Sequence, residues 1–122
     1  MTKRDKSKGF NRIARASVYS WQGLKSAWRE EGAFRQEIAL STVVIPAGLY
    51  FGRNGLERAA LIGPMILVLV VELLNSSLEA VVDRAGTERD YLAAMAKDMG
   101  SAAVMLSLLL LITVWFLILS GR

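Results

Sequence analysis

Polar and apolar positions are arranged in two ways along the chain. From Phe10 to Trp28, Phe10, Ile13, Ser17, Trp21, Leu24 and Trp28 recur every three or four positions, with Arg12, Arg15, Tyr19, Gln22 and Ser26 opposite them. That spacing is one stripe of an α-helix over about 10–31. A Trp-bearing stripe backed by basic residues predicts a helix lying in a membrane interface, or one docked on the protein's own surface. Beyond it the periodicity gives way to uncharged blocks at Ile38–Phe51, Ala59–Val71 and Met99–Gly121.

A helix needs about 20 mostly apolar residues to cross the hydrocarbon core of a bilayer. Met99–Gly121 reaches that length alone, with Trp115 and Arg122 as interfacial anchors. Ala59–Val71 reaches it only with Glu72 and Glu79 inside the span, and Ile38–Phe51 is short and interrupted by Pro46. Three membrane helices are therefore expected, over about 33–52, 56–84 and 88–120, the last including a cytoplasmic stub. The stretch FGRNG at 51–55 predicts a tight turn between the first two. Gly86 is expected to end the second, and Thr87 to cap a helix starting at Glu88. A soluble helical fold is excluded by the third block, which has no polar face to offer water.

The 122 residues suit one domain, over 10–122, behind a basic N-terminus at 1–9 that is expected to be disordered. MTKRDKSKG leads into an amphipathic rather than an apolar segment, so no signal peptide is expected. Neither cysteine nor histidine is present, which removes disulfides, Ser-His-Asp hydrolysis and most transition-metal sites. Any catalysis must use carboxylates, lysine or tyrosine. All cationic residues except Arg53, Arg58 and Arg122 fall on one side if the N-terminus is cytoplasmic, as the positive-inside rule favours. The net charge of +4 then faces anionic lipid or an anionic ligand, and without a base-stacking pattern no nucleic acid is expected.

The second block runs directly into VELLNSSLEAVVD, where Glu72, Asn75 or Ser76, Glu79 and Asp83 line one helical face. Measured from Asp83, Glu79 lies ~6 Å and Glu72 ~16 Å deeper along the axis. A carboxylate at the bilayer centre costs ~3 kcal/mol on insertion scales. A purely structural polar seam would account for Asn75 and Ser76, but small neutral groups would serve that end without two carboxylates. Withdrawn from bulk water, Glu72 is placed to act as a general base on a hydroxyl at headgroup depth. Glu79, nearer water, is better placed to hold a hard cation such as Mg²⁺. EEGAFRQE at 30–37, the pair Lys97-Asp98, and Arg12 with Tyr19 flank this face with the groups a phosphate-plus-metal site requires. No P-loop or protein-kinase glycine loop occurs.

RIARASVYSWQGLKSAW, EGAFRQE, VELLNSSLEAVVDR and AKDMGSAAV resemble the prokaryotic diacylglycerol kinases across nearly the whole chain. The resemblance implies an all-α integral membrane protein, an amphipathic surface helix plus three transmembrane helices, assembled as a homotrimer in the bacterial inner membrane with sites shared between neighbouring chains. It implies MgATP-dependent phosphorylation of 1,2-diacylglycerol to phosphatidic acid. On that basis Glu72 matches the general base and Asn75 the active-site asparagine, while Glu31 and Glu79 match carboxylates that hold Mg²⁺ and nucleotide. Arg12, Tyr19, Glu88, Arg89, Asp90, Lys97 and Asp98 match nucleotide-site positions. Arg12, Ser17, Trp21, Lys25, Trp28, Ala33, Phe34, Arg35, Gln36, Glu37, Glu72, Ser101 and Trp115 match the lipid-substrate region. Ser17-Val18 and TERD at 87–90 depart from the pattern. The polyprenol kinases of the same superfamily make undecaprenol the alternative substrate. A small proton-coupled transporter, or a membrane subunit whose polar seam is only an interface, are the rival classes.

Overall fold

A computed structural model describes residues 9–86 and 90–122. Among them are four helices and no strand: α1 (Gly9–Glu30), α2 (Gly32–Phe51), α3 (Gly55–Arg84) and α4 (Tyr91–Ser120). They fall into two compact units, one ending at Gly32 and one from Ala33 to Arg122. Residues 1–8, most of the stretch expected to be disordered, lie outside the described residues. Gly9, the last residue of that stretch, is helical.

In the N-terminal unit, α1 carries the stripe read from the sequence. Phe10, Ile13, Trp21, Leu24 and Trp28 are all exposed, as are Arg12 and Tyr19 on the other side. The Ser17 hydroxyl donates to the Ile13 carbonyl at 3.0 Å, so this polar group is satisfied within its own helix.

In the second unit, α3 and α4 pack along their lengths as antiparallel neighbours. Asp83 meets Lys97, Asn75 lies against Gly100, Val68 shares a core cluster with Leu111, and the Leu61 carbonyl accepts from Trp115. Each step down α3 is thus a step up α4. Met65, Val68 and Leu111 form the buried centre, with Val44 and Ile45 of α2 packed against it. Each of α3 and α4 is 30 residues long, or about 45 Å at 1.5 Å per residue, against a hydrocarbon core of about 30 Å. The surplus of α3 is the acidic segment after Val71, and that of α4 is Tyr91–Asp98. Antiparallel packing brings both polar ends to the same end of the unit.

α3 and α4 are long and apolar enough to cross a membrane. Leu106, Ile112, Phe116 and Leu117 of α4 are each more than three-fifths exposed, so a large apolar surface has no partner among the described residues and suits lipid or another copy. This is a membrane protein. Helix α2 passes through Pro46 without a break, but Arg35, Gln36, Glu37, Ser41 and Thr42 dilute its apolar character. The hydroxyls of Ser41 and Thr42 donate to carbonyls three residues back, both at 2.6 Å, which makes them tolerable in an apolar setting.

The connections follow the sequence closely. FGRNG turns the chain between α2 and α3, where Asn54 caps α3 by accepting from the Glu57 N–H at 2.9 Å. Helix α3 ends at Arg84, and Gly86 takes a φ of 71°, a left-handed conformation that favours glycine. The cap expected at Thr87 lies outside the described residues, as do Glu88 and Arg89. The helix expected from Glu88 instead begins at Tyr91 and is capped by Asp90, which accepts from the Leu92 N–H at 3.3 Å. A carboxylate at that position satisfies an orphan donor and complements the positive end of the helix dipole.

Candidate active site

Glu72 is the most enclosed charged side chain described, 4% exposed on α3. One turn further on, the Ser76 hydroxyl donates to its Oε2 at 3.2 Å. The helical repeat alone produces this contact, since residues four apart share a face. On α2, Glu37 is also buried, and its carboxylate lies within electrostatic reach of Glu72. Glu37 Oε1 is enclosed without a hydrogen-bond partner. The sequence placed Glu37 in the lipid-binding region only. Its pairing with Glu72 required the packing of α2 on α3, for which the spacing holds no signal.

Asn75 and Glu79 continue the same face, both half-buried. The Asn75 Oδ1 is enclosed, again without a partner, against Gly100 of α4. Near the polar end Lys97 forms an ion pair with Asp83 at 2.6 Å. Both side chains retain considerable exposure, so this bridge orients Lys97 more than it stabilises the fold. Asp98 and Ser101 are exposed on the same stretch of α4.

Of the remaining positions, Arg12, Ser17, Tyr19, Trp21, Lys25, Trp28 and Glu31 belong to the N-terminal unit, where Glu31 is half-buried and the others are exposed. In the first turns of α2, Phe34 is buried with Glu37, whereas Ala33, Arg35 and Gln36 are exposed. Asp90 is engaged as the α4 cap. Trp115 is half-buried. Its indole N–H donates to the Leu61 carbonyl at 2.9 Å, and its ring packs on the core cluster. It also lines an apolar groove of about 840 Å³ with Leu40 and Val43 of α2 and Leu108, Ile112 and Phe116 of α4.

The donors on this face are carboxylate and amide oxygens, suited to a hard cation. Mg²⁺ is usually held by one or two carboxylates together with phosphate oxygens and water, and the half-buried Glu79 is a donor of that chemical type. The buried carboxylate, with acidic and basic groups nearer the polar end, is chemically equipped to deprotonate a hydroxyl beside a bound anion.

A family model described as prokaryotic diacylglycerol kinase matches residues 18–119. The diacylglycerol kinase of Escherichia coli K12 is 43% identical over 111 residues, covering 91% of each chain. That of Pseudomonas aeruginosa is 45% identical over 113 residues, covering 93% of this chain and 92% of its own. The Helicobacter pylori 26695 protein of the same name is 47% identical over 110 residues, 90% of this chain and 86% of its own. The match spans α2, α3, α4 and most of α1, with the whole carboxylate face inside it, and the chain belongs to the prokaryotic diacylglycerol kinase family.

Proposed function

We propose that this chain transfers the γ-phosphoryl group of ATP to membrane 1,2-diacylglycerol, forming phosphatidic acid. The observation that carries the reading is Glu72, a buried, hydrogen-bonded carboxylate on a helix long and apolar enough to span a membrane. Family membership supplies the substrate class. Glu72 takes the proton of the lipid hydroxyl as its oxygen bonds to the γ-phosphorus, and the bond from phosphorus to the β,γ-bridging oxygen breaks in line, releasing ADP. Lys97 and Arg12 neutralise phosphate charge, while Tyr19, Asp98 and the 88–90 segment hold the nucleotide. Glu31 and Glu79 would hold Mg²⁺, which would supply neutralisation of the phosphate charge. Positioning and charge stabilisation supply most of the acceleration, as expected for phosphoryl transfer.

On the same reading α2 is a third span, with the N-terminus and polar helix ends on the cytoplasmic side of the inner membrane. Residues 10–122 act as a single kinase domain, in a homotrimer with shared sites. Helix α1 and Ala33–Glu37 meet the acylglycerol, and the groove lined by Trp115 suits acyl chains.

Purified protein in mixed micelles with Mg²⁺, γ-labelled ATP and a panel of lipids tests the reaction. Label on diacylglycerol is the expected result. Label on undecaprenol alone would assign the polyprenol kinase activity instead, and label on no lipid would overturn the kinase reading in favour of a transporter.

A further inference from the structure

Helices α3 and α4 approach closely where Asn75 meets Gly100. A Cβ built on Gly100 would overlap Asn75 Oδ1 and come within 3.1 Å of its Cγ. Any larger residue at 100 therefore displaces the carboxamide. The Asn75 oxygen is enclosed there without a conventional hydrogen-bond partner. A carbonyl oxygen against a glycine Cα finds a weak C–H donor, whereas an NH2 group would direct its hydrogens at C–H groups that cannot accept. The enclosed end is thus the acceptor, and the Asn75 amide N–H groups are the end left for a ligand.

We infer that Gly100 is a positioning residue that holds Asn75 with its oxygen against the α4 backbone, so that Asn75 acts in the site only as a hydrogen-bond donor. The ligand it suits is an anionic acceptor, and on the kinase reading above, on which this rests, that acceptor is a phosphoryl oxygen of the nucleotide. Glycine at 100 then determines the polarity of Asn75, a constraint that a simple close contact between helices would not impose.

Full-length protein in mixed micelles tests this with four variants: Asn75→Asp, Asn75→Ala, Gly100→Ala and the Asn75→Ala/Gly100→Ala double variant. Asn75→Asp keeps shape and the oxygen facing Gly100 but replaces the donor with an acceptor. It is expected to lower kcat roughly tenfold to a hundredfold, the range for a hydrogen bond to a charged group, at least as severely as Asn75→Ala. Gly100→Ala is expected to lower kcat about tenfold alone, yet to have less than about a twofold effect once Asn75 is Ala, because no carboxamide remains to displace. Near-normal turnover of Asn75→Asp overturns the donor role. Equal fold-losses from Gly100→Ala in both backgrounds overturn the positioning role, since a merely structural glycine would act independently of Asn75. If Asn75→Ala itself turns over normally, the catalytic reading of Asn75 fails. The steric coupling is then read from the thermal midpoint, which Gly100→Ala should lower only while Asn75 is present, and an equal drop in both backgrounds overturns that as well.

Discussion

At the scale of single residues, the proposed chemistry depends on what surrounds Glu72. Its Ser76 hydrogen bond and its burial orient one carboxylate in a site with little water to compete. Replacing Glu72 by Gln preserves shape and removes the proposed base. Turnover should be abolished while MgATP binding, followed by nucleotide titration, stays largely intact; near-normal turnover would remove Glu72 from its role. Ser76→Ala should be milder, lowering kcat by about tenfold with little change in KM for ATP, as expected for one hydrogen bond to a charged group. The polar groups of this face, Asn75 among them, were legible in the sequence because a three-to-four spacing puts them on one face whatever the tertiary fold. Glu37 was not legible as a neighbour of Glu72, and Gly100 was not legible at all. Both relations cross between helices, and the spacing along one helix carries no information about what faces it.

At the scale of helices, the end remote from the carboxylate face is held by a cluster around the C-terminus. Arg122 donates to the Phe51 carbonyl and to Glu57 Oε1, both at 2.6 Å, and the Arg53 N–H donates to the same Glu57 oxygen at 2.9 Å. Arg58 adds a bond to the Leu49 carbonyl at 3.1 Å. The expected interfacial anchor is therefore also a clasp that ties the end of α4 to the α2–α3 turn, where Phe51 carries an orphan helix-end carbonyl. Arg122→Ala should lower the thermal midpoint in detergent by about 5 °C, while kcat stays unchanged because the site lies at the opposite end. An unchanged midpoint would show the clasp to be incidental. Helix existence and ends came from the sequence with small errors. The start of α4 at Tyr91 goes with the Asp90 cap, which spacing alone did not single out.

At the scale of the molecule, the apolar helix faces are largely uncovered among the described residues. Glu31 belongs to the N-terminal unit, and Glu72 and Glu79 to the other. If sites are shared between neighbouring copies, two inactive variants should complement each other. Mixing Glu31→Gln with Glu72→Gln protein, then allowing subunits to exchange, should recover a substantial part of wild-type turnover, whereas each alone remains inactive. Failure to recover activity despite demonstrated exchange would place each complete site within one chain. Cross-linking in detergent and in bilayers tests the proposed homotrimer directly.

The sequence alone determined that this is a helical membrane protein with acidic groups along one face of a span, because hydropathy and helical period are properties of a single segment. It also carried the motifs that mark the family. Only the tertiary structure decided which side chains come together: Glu37 within electrostatic reach of Glu72, Asn75 against Gly100, Lys97 on Asp83, and Trp115 turned onto the Leu61 carbonyl. Those pairings follow from the antiparallel register of α3 and α4 and from the packing of α2. Packing is decided by the fit of whole helix surfaces, which no local pattern encodes.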